Sequence, residues 1–220
     1  MSTLFPVLPV DRAYYEARVR HFLPPRLIDI HTHVWLSCLR RPEDSGGPRR
    51  TVTWPSRVAR ENPVEELLET YRLLFPDKRV TPLIFGNAAP ADDLDGQNRY
   101  VANAGRAHRL PALLFATPAW DGAELERRVL AGGFLGIKVY LTFAPPHLST
   151  NEITIYDYLP PHHLEVLNRH GWIAMLHIPR DGRLRDPVNL AHMQEIDRRY
   201  PNAKVIVAHV GRAYCPEDVG

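Results

Sequence analysis

The segment Leu27-Ile28-Asp29-Ile30-His31-Thr32-His33 decides how the rest of the chain is read. Its front half is apolar and β-branched, the composition of a strand, and its back half sets two imidazoles two residues apart. Alternate side chains of a strand share a face, so Asp29, His31 and His33 point one way, with the histidines at the C-terminal end. Working outward, the first β-rich run, Arg26–Ile30, is followed by Val80–Phe85, Ala112–Thr117, Leu135–Tyr140, Trp172–His177 and Lys204–His209. Helical patterns fill the intervals. Pro63–Phe75 sets Val64, Leu67, Leu68, Tyr71 and Leu74 on one face and stops at Pro76. From Asp186, an N-cap with Pro187 at the first helical position, a second amphipathic segment carries Leu190, Met193 and Ile196 as far as Tyr200-Pro201.

Strand and helix in alternation predict an α/β fold with a parallel sheet and crossover helices. The runs recur roughly every 37 residues, a fair length for one unit of a (β/α)8 barrel of the TIM-barrel type. A whole barrel takes roughly 250 residues. Only about the first six βα units are therefore expected in these 220 residues. The expected organisation is one barrel-type domain over 1–220, C-terminally incomplete, with 1–25 as a helical lead-in. Residues 37–62, rich in Arg, Pro and Gly, are long for a βα connection and read as a lid loop over the mouth. An open doubly wound sheet is the alternative, but no Gly-rich phosphate turn follows the first run. Unpaired edges at the Arg26 and Lys204 strands predict a homo-oligomer or poor solubility.

Composition narrows the partners. With 45% hydrophobic and 24% charged residues and a net charge of +2, the chain has the make-up of a soluble globular domain. Its basic residues are interleaved with Asp and Glu, which argues against nucleic acid and membrane surfaces as partners. No apolar run approaches the roughly 20 residues that span a bilayer. Leu4–Val10 is twice broken by Pro and lacks a basic leader, so it makes a poor signal peptide and a cytoplasmic location is expected. Cys38 and Cys215 belong to no Cys-x-x-Cys pattern, which predicts neither a disulfide nor a thiolate metal site.

The chemistry gathers where strands end. His31 and His33 close the first run, and the fifth and sixth end in Leu176-His177 and Ala208-His209, which brings four imidazoles to one mouth. Catalytic zinc sites use about three protein ligands plus a water, and His31, His33 and His177 suffice. Water on such an ion loses a proton near neutrality, which leaves His209 for catalytic proton transfer. Lys138 lies in the otherwise apolar Gly136-Ile137-Lys138-Val139-Tyr140, where a cation is costly without a partner. It is expected to face the site, neutralising a substrate carboxylate or, as a carbamate, binding metal; a lysine snorkelling from the strand end is the bland alternative. Arg180 and Arg212 each follow a strand by three residues and can bind an anionic small-molecule substrate through a bidentate fork, or simply be solvated loop residues. His162, His163, His170 and His192 read as surface residues.

On these residues the chain resembles the amidohydrolase superfamily, and within it the amidohydrolase-related group of small-acid decarboxylases and lactone hydrolases. The likeness is carried by Leu27–His33, Gly136-Ile137-Lys138, His177 and Ala208-His209-Val210-Gly211, and runs from about Tyr14 to Gly220. It implies His31, His33 and His177 as ligands to a divalent metal, zinc first, with manganese or iron as alternatives. His209 is then the acid–base residue or a ligand to a second metal, and Lys138 matches a position that some branches carboxylate. The resemblance also implies an Asp at the end of an eighth strand. Asp218, nine residues past His209, does not fill that place, so the 220-residue chain is expected to be inactive or nearly so. The leading expectation is a metal-dependent hydrolase that cleaves an ester, lactone or amide bond. The alternatives are non-oxidative decarboxylation of a small aromatic or unsaturated acid, and a non-catalytic truncated barrel serving as a binding or interface module.

Overall fold

Among the described residues six parallel strands carry the fold: β1 (Arg26–His33), β2 (Arg79–Phe85), β3 (Leu114–Phe115), β4 (Gly136–Lys138), β5 (Ile173–Leu176) and β6 (Lys204–Val207). The computed structural model describes residues 4–41, 59–87, 89–213 and 216–218. β1 pairs with β2, and β3 to β6 pair in sequence order. A bridge from Ile84 to Ala112, where the Leu113 N–H donates to the Ile84 carbonyl at 2.9 Å, joins the two groups. Helices α1 (Pro9–Tyr14), α2 (Val64–Leu74), α3 (Leu94–His108), α4 (Gly122–Gly132), α5 (Pro161–His170) and α6 (Pro187–Arg199) complete a mixed α/β architecture of TIM-barrel-like kind. Among the described residues the sheet does not close, since β1 pairs only with β2 and β6 only with β5. None of the described helices is long and apolar enough to cross a membrane.

Local chemistry sets where the elements stop. The Asp93, Asp121 and Asp186 carboxylates cap α3, α4 and α6 by accepting from backbone N–H groups of the first turn, at 2.8 Å in the first two. Gly133 and Gly171 end α4 and α5 in the left-handed conformation, which sends the chain straight into β4 and β5. Gly136 opens β4 at φ 151°, and a Cβ there would lie 2.0 Å from the Ile173 carbonyl oxygen, so only glycine lets β4 lie this close to β5. Several strands are shorter than the β-rich runs predict: Ala112–Thr117 contracts to β3 and Leu135–Tyr140 to β4. Apolar composition reports burial, and Ala116, Val139 and Tyr140 remain buried beyond the point where ladder pairing ends.

The two-residue period of the strands divides the apolar residues into two cores. Ile84, Leu114, Ile137, Ala174 and Leu176 face outward, in one cluster with Val101 of α3, Leu125 and Val129 of α4, Leu164 and Leu167 of α5 and Ile196 of α6. Leu83, Phe85, Leu113, Met175 and Ala208 face inward in a second cluster beneath the strand ends. The lead-in is helical over α1 and a π-turn at Tyr15–Val19, and Tyr15 anchors it by packing on Phe75 and donating a hydrogen bond to Asp77. Of the expected lid, residues 42–58 lie outside the described residues. Its described ends are a 3-10 turn at Ser37–Leu39 and an antiparallel bridge between Trp35 and Asn62.

Candidate metal centre

β1 does not run straight to its histidines. Its register against β2 passes from Asp29 opposite Pro82 to Thr32 opposite Ile84, so Ile30 and His31 together face one residue in a β-bulge. At the bulge the His31 N–H donates to the Asp29 carboxylate at 3.1 Å, and Pro82, opposite Asp29, has no N–H to give the ladder. The other Asp29 oxygen accepts from the Tyr71 hydroxyl of α2 at 2.9 Å. Asp29 thus holds the bulge that aims His31, and its two oxygens are engaged away from the histidines. Ile206 and Ala208 face inward, so strand alternation alone would turn His209 outward. A left-handed backbone at His209 (φ 53°), continued at Val210, Gly211 and Arg212, brings its imidazole back over the site.

The four imidazoles predicted to meet do lie together. Ring centroids are 5.3 Å apart for His31 and His33, 5.5 Å for His31 and His177, 4.4 Å for His31 and His209, and 5.0 Å for His177 and His209. The contact between His31 and His209 means that the sheet curls until side chains from the end of β1 and the turn after β6 meet. One nitrogen from each of His31, His177 and His209 lies within 4.8 Å of the others, a set able to hold an ion, and among the described residues no carboxylate joins it. His33 stands beside that trio, its Nδ1 3.2 Å from the Gly86 carbonyl oxygen, and the Tyr140 hydroxyl lies over its ring, 3.1 Å from Nε2 and 3.3 Å from Nδ1.

These residues fit a cation. The donors are all imidazole nitrogens, and His31 Nε2 is buried without a hydrogen-bond partner. Burial, with Lys138 close by, pushes His31 down to about 2 and His33 to about 3, and lowers His177 as well. The rings are therefore neutral at cellular pH, the form that binds metal. His209 is the exposed member of the group, and its pKa is lowered chiefly by partial burial.

Lys138 is fully buried, with Nζ 3.2 Å from His177 Nδ1 and 4.8 Å from the Tyr140 ring centroid. It does face the cluster. No carboxylate among the described residues pairs with it, and burial alone pulls its pKa well down. His177 is held from both ends, since Tyr158 donates its hydroxyl to the His177 carbonyl. The Arg180 fork is spent internally on Asp186, at 2.9 Å, and on the Asn151 carbonyl. Arg212 stays near enough to His209 and Tyr158 to perturb both.

Two expectations need correction or extension. His163 is not a surface residue: it is fully buried in α5, donating from Nε2 to the Trp120 carbonyl at 2.7 Å. Tyr140 belongs to the site although its sequence suggested no role. The alternation that turns Lys138 inward also applies two residues later, and that is the signal which could have found it. Comparison with curated proteins finds no match. The model of a family described as amidohydrolase matches residues 28–217, taking in nearly the whole sheet and every residue of the histidine cluster, and the chain belongs to that amidohydrolase family.

Proposed function

We propose that the chain is a metal-dependent hydrolase that opens an ester, lactone or amide bond in a small, anionic substrate. Its family lies within a superfamily of metal-dependent hydrolases and decarboxylases. The observation that carries the proposal is the convergence of neutral imidazoles from β1, β5 and the turn after β6 around a buried, unpartnered His31 Nε2. His31, His33 and His177 would hold a divalent cation, zinc first among the candidates. When bound, such an ion supplies Lewis acidity, polarising a carbonyl and acidifying water. His209, exposed at the rim and the least perturbed of the four rings, takes up a proton at a ring nitrogen and returns it to the leaving group. Arg212 beside it attracts the substrate anion, and Phe85, packed against His31 and His33 with ring centroids 5.2 and 4.6 Å away, keeps water from beneath the cluster. The protein loaded in turn with Zn2+, Mn2+ or Fe2+ is assayed against aryl esters, lactones and amides. Hydrolysis that needs one of these metals and disappears in His31→Ala is expected, with slow turnover at most, because among the described residues no carboxylate joins the histidines. Hydrolysis indifferent to chelator overturns the proposal.

A second reading, non-oxidative decarboxylation of a small aromatic or unsaturated acid, is favoured by one feature. Lys138 is buried with no carboxylate of the protein to pair with among the described residues, and a substrate carboxylate would offset the cost of charging it. Release of CO2 from such acids without ester, lactone or amide turnover selects this reading over hydrolysis.

A further inference from the structure

His177 lies one residue beyond β5, where the ladders on both sides run out. Toward β6 the last rung is the Ala208 N–H on the Leu176 carbonyl at 2.9 Å, and toward β4 it is the Val139 N–H on the Met175 carbonyl at 3.3 Å. In the two-residue step of a parallel ladder, the next donor from β4, for the His177 carbonyl, would be the Leu141 N–H. The chain has already turned there into the 3-10 helix Leu141–Phe143, and pairing has ended at Lys138 opposite Met175. The Tyr158 hydroxyl donates to the His177 carbonyl instead. Tyr158 is 1% exposed, with its ring in the outer core alongside Ile155, Leu159 and Ile178, so packing fixes where the hydroxyl reaches. Farther along, Asn151 joins the same two connections: its Nδ2 donates to the Asp181 carboxylate at 2.7 Å and its Oδ1 accepts from the Asp181 N–H at 2.8 Å. The connection after β4 is thus fastened twice to the connection after β5, and one fastening falls on His177 itself.

We propose that Tyr158 is a positioning residue: its hydroxyl takes the place of the missing ladder donor and fixes the main chain at His177, which keeps that imidazole in reach of His31 and His209. The proposal rests on the metal-dependent reading of the site, and it deepens that reading by assigning the aim of one ligand to the connection after β4. Ring centroids of His177 lie 5.5 Å from His31 and 5.0 Å from His209. Lys138 Nζ, 3.2 Å from His177 Nδ1, steadies the ring but not the backbone that carries it. A side chain inherits the orientation of its main chain, so an unheld carbonyl at residue 177 would let the imidazole swing away from its two neighbours.

Zn2+ affinity, measured against a competing chelator, tests this in the full chain, in Tyr158→Phe, in His177→Ala and in the double variant. Phe keeps the ring in the core and removes only the donor. Tyr158→Phe is therefore expected to bind Zn2+ roughly tenfold more weakly, as loss of a group that orients a ligand does. In the His177→Ala background the same substitution should change affinity by less than about twofold. A merely structural hydroxyl would cost the same affinity in both backgrounds. Unchanged affinity in Tyr158→Phe, or a loss equally large in the His177→Ala background, overturns the assignment. Co2+ bound in place of Zn2+ gives a readout that needs no second variant, because its visible absorption depends on the number and geometry of its donors. Tyr158→Phe should change that absorption, and a spectrum superimposable on that of the unaltered chain counts against Tyr158. A Tyr158 hydroxyl proton that exchanges slowly with solvent in the NMR spectrum of the unaltered chain supports the bond whether or not the variants fold, and one that exchanges too fast to observe sinks it. Should the unaltered chain bind no Zn2+, or His31→Ala bind it equally well, the metal reading falls and the proposal with it. With Zn2+ binding intact and dependent on His31, absence of the Tyr158 effect removes Tyr158 alone.

Discussion

Below neutral pH a buried neutral histidine works against the folded state, and His163 is placed to do so. Burial lowers its pKa from 6.5 to about 4, against a smaller opposing pull from its hydrogen bond to Trp120 and with His162 and Asp121 nearby. Because the folded value lies below the unfolded one, the unfolded chain binds the proton first as pH falls. Stability is untouched above about pH 6.5, declines from there toward pH 4, and levels off below the folded value, with a ceiling on the order of 3 kcal/mol. The site imidazoles depend on pH in the same sense, so the contribution of His163 is the difference from His163→Gln. Urea unfolding of both proteins between pH 4 and 7 should give a shallower slope in the variant, and parallel slopes would remove His163 from the account. Its burial was hard to read because α5 buries a wide face, His163, Leu164, Val166 and Leu167, and a histidine at its edge looks like a solvent residue. The site histidines were easier. Those of β1 follow the two-residue period of a strand, and that period needs no knowledge of what lies opposite.

The element that places the cluster is a bulged strand, and the bulge itself was not legible. Sequence alternation put Asp29, His31 and His33 on one face, but the bulge parts Asp29 from the histidines: its carboxylate turns to Tyr71 of α2, while Ile30 and His31 line one groove, and the extra residue shows only in the register against β2, across the ladder and not along the chain. His209 shows the same limit. A strand ending in Ala208-His209 suggests a side chain at the mouth, yet the parity of β6 would have sent it the wrong way, and a left-handed residue that no composition rule marks restores it. Asp29 is the place to test the bulge. Asp29→Ala leaves the His31 N–H and the Tyr71 hydroxyl without their acceptor, at a cost of ~1–3 kcal/mol in unfolding free energy. It should also weaken Zn2+ binding by roughly tenfold, as loss of a supporting shell does. Asn, which keeps one acceptor oxygen, should recover most of the affinity. An Asp29→Ala protein that loses stability but binds Zn2+ like its parent would show that the bulge supports the fold and not the aim of His31.

At the scale of the whole molecule, the parallel α/β order was legible because hydrophobic runs and capped helices alternate, whereas the curl of the sheet was not, since it accumulates from the twist between neighbouring strands and is written in no single run. That curl leaves a groove of about 550 Å³ between β1 and β6, lined by Ile30, Leu184, Met193, Ile206 and Val210, with His31 and His209 at its end. Beside it Ile28 is 73% exposed, Ile30 48% and Val210 68%, and among the described residues the outer edges of β1 and β6 have no strand partner. Unpaired backbone next to uncovered branched side chains favours pairing with another chain. The expected occupant is a second copy, since the groove offers little charge to recognise anything else. Light scattering should therefore report a dimer or larger species at micromolar concentration, and Ile28→Glu, which puts a charge on the exposed edge without touching the cluster, should shift the population toward monomer while Zn2+ binding stays intact. A parent chain that remains monomeric across that range would mean that the edges do not associate, however apolar they are.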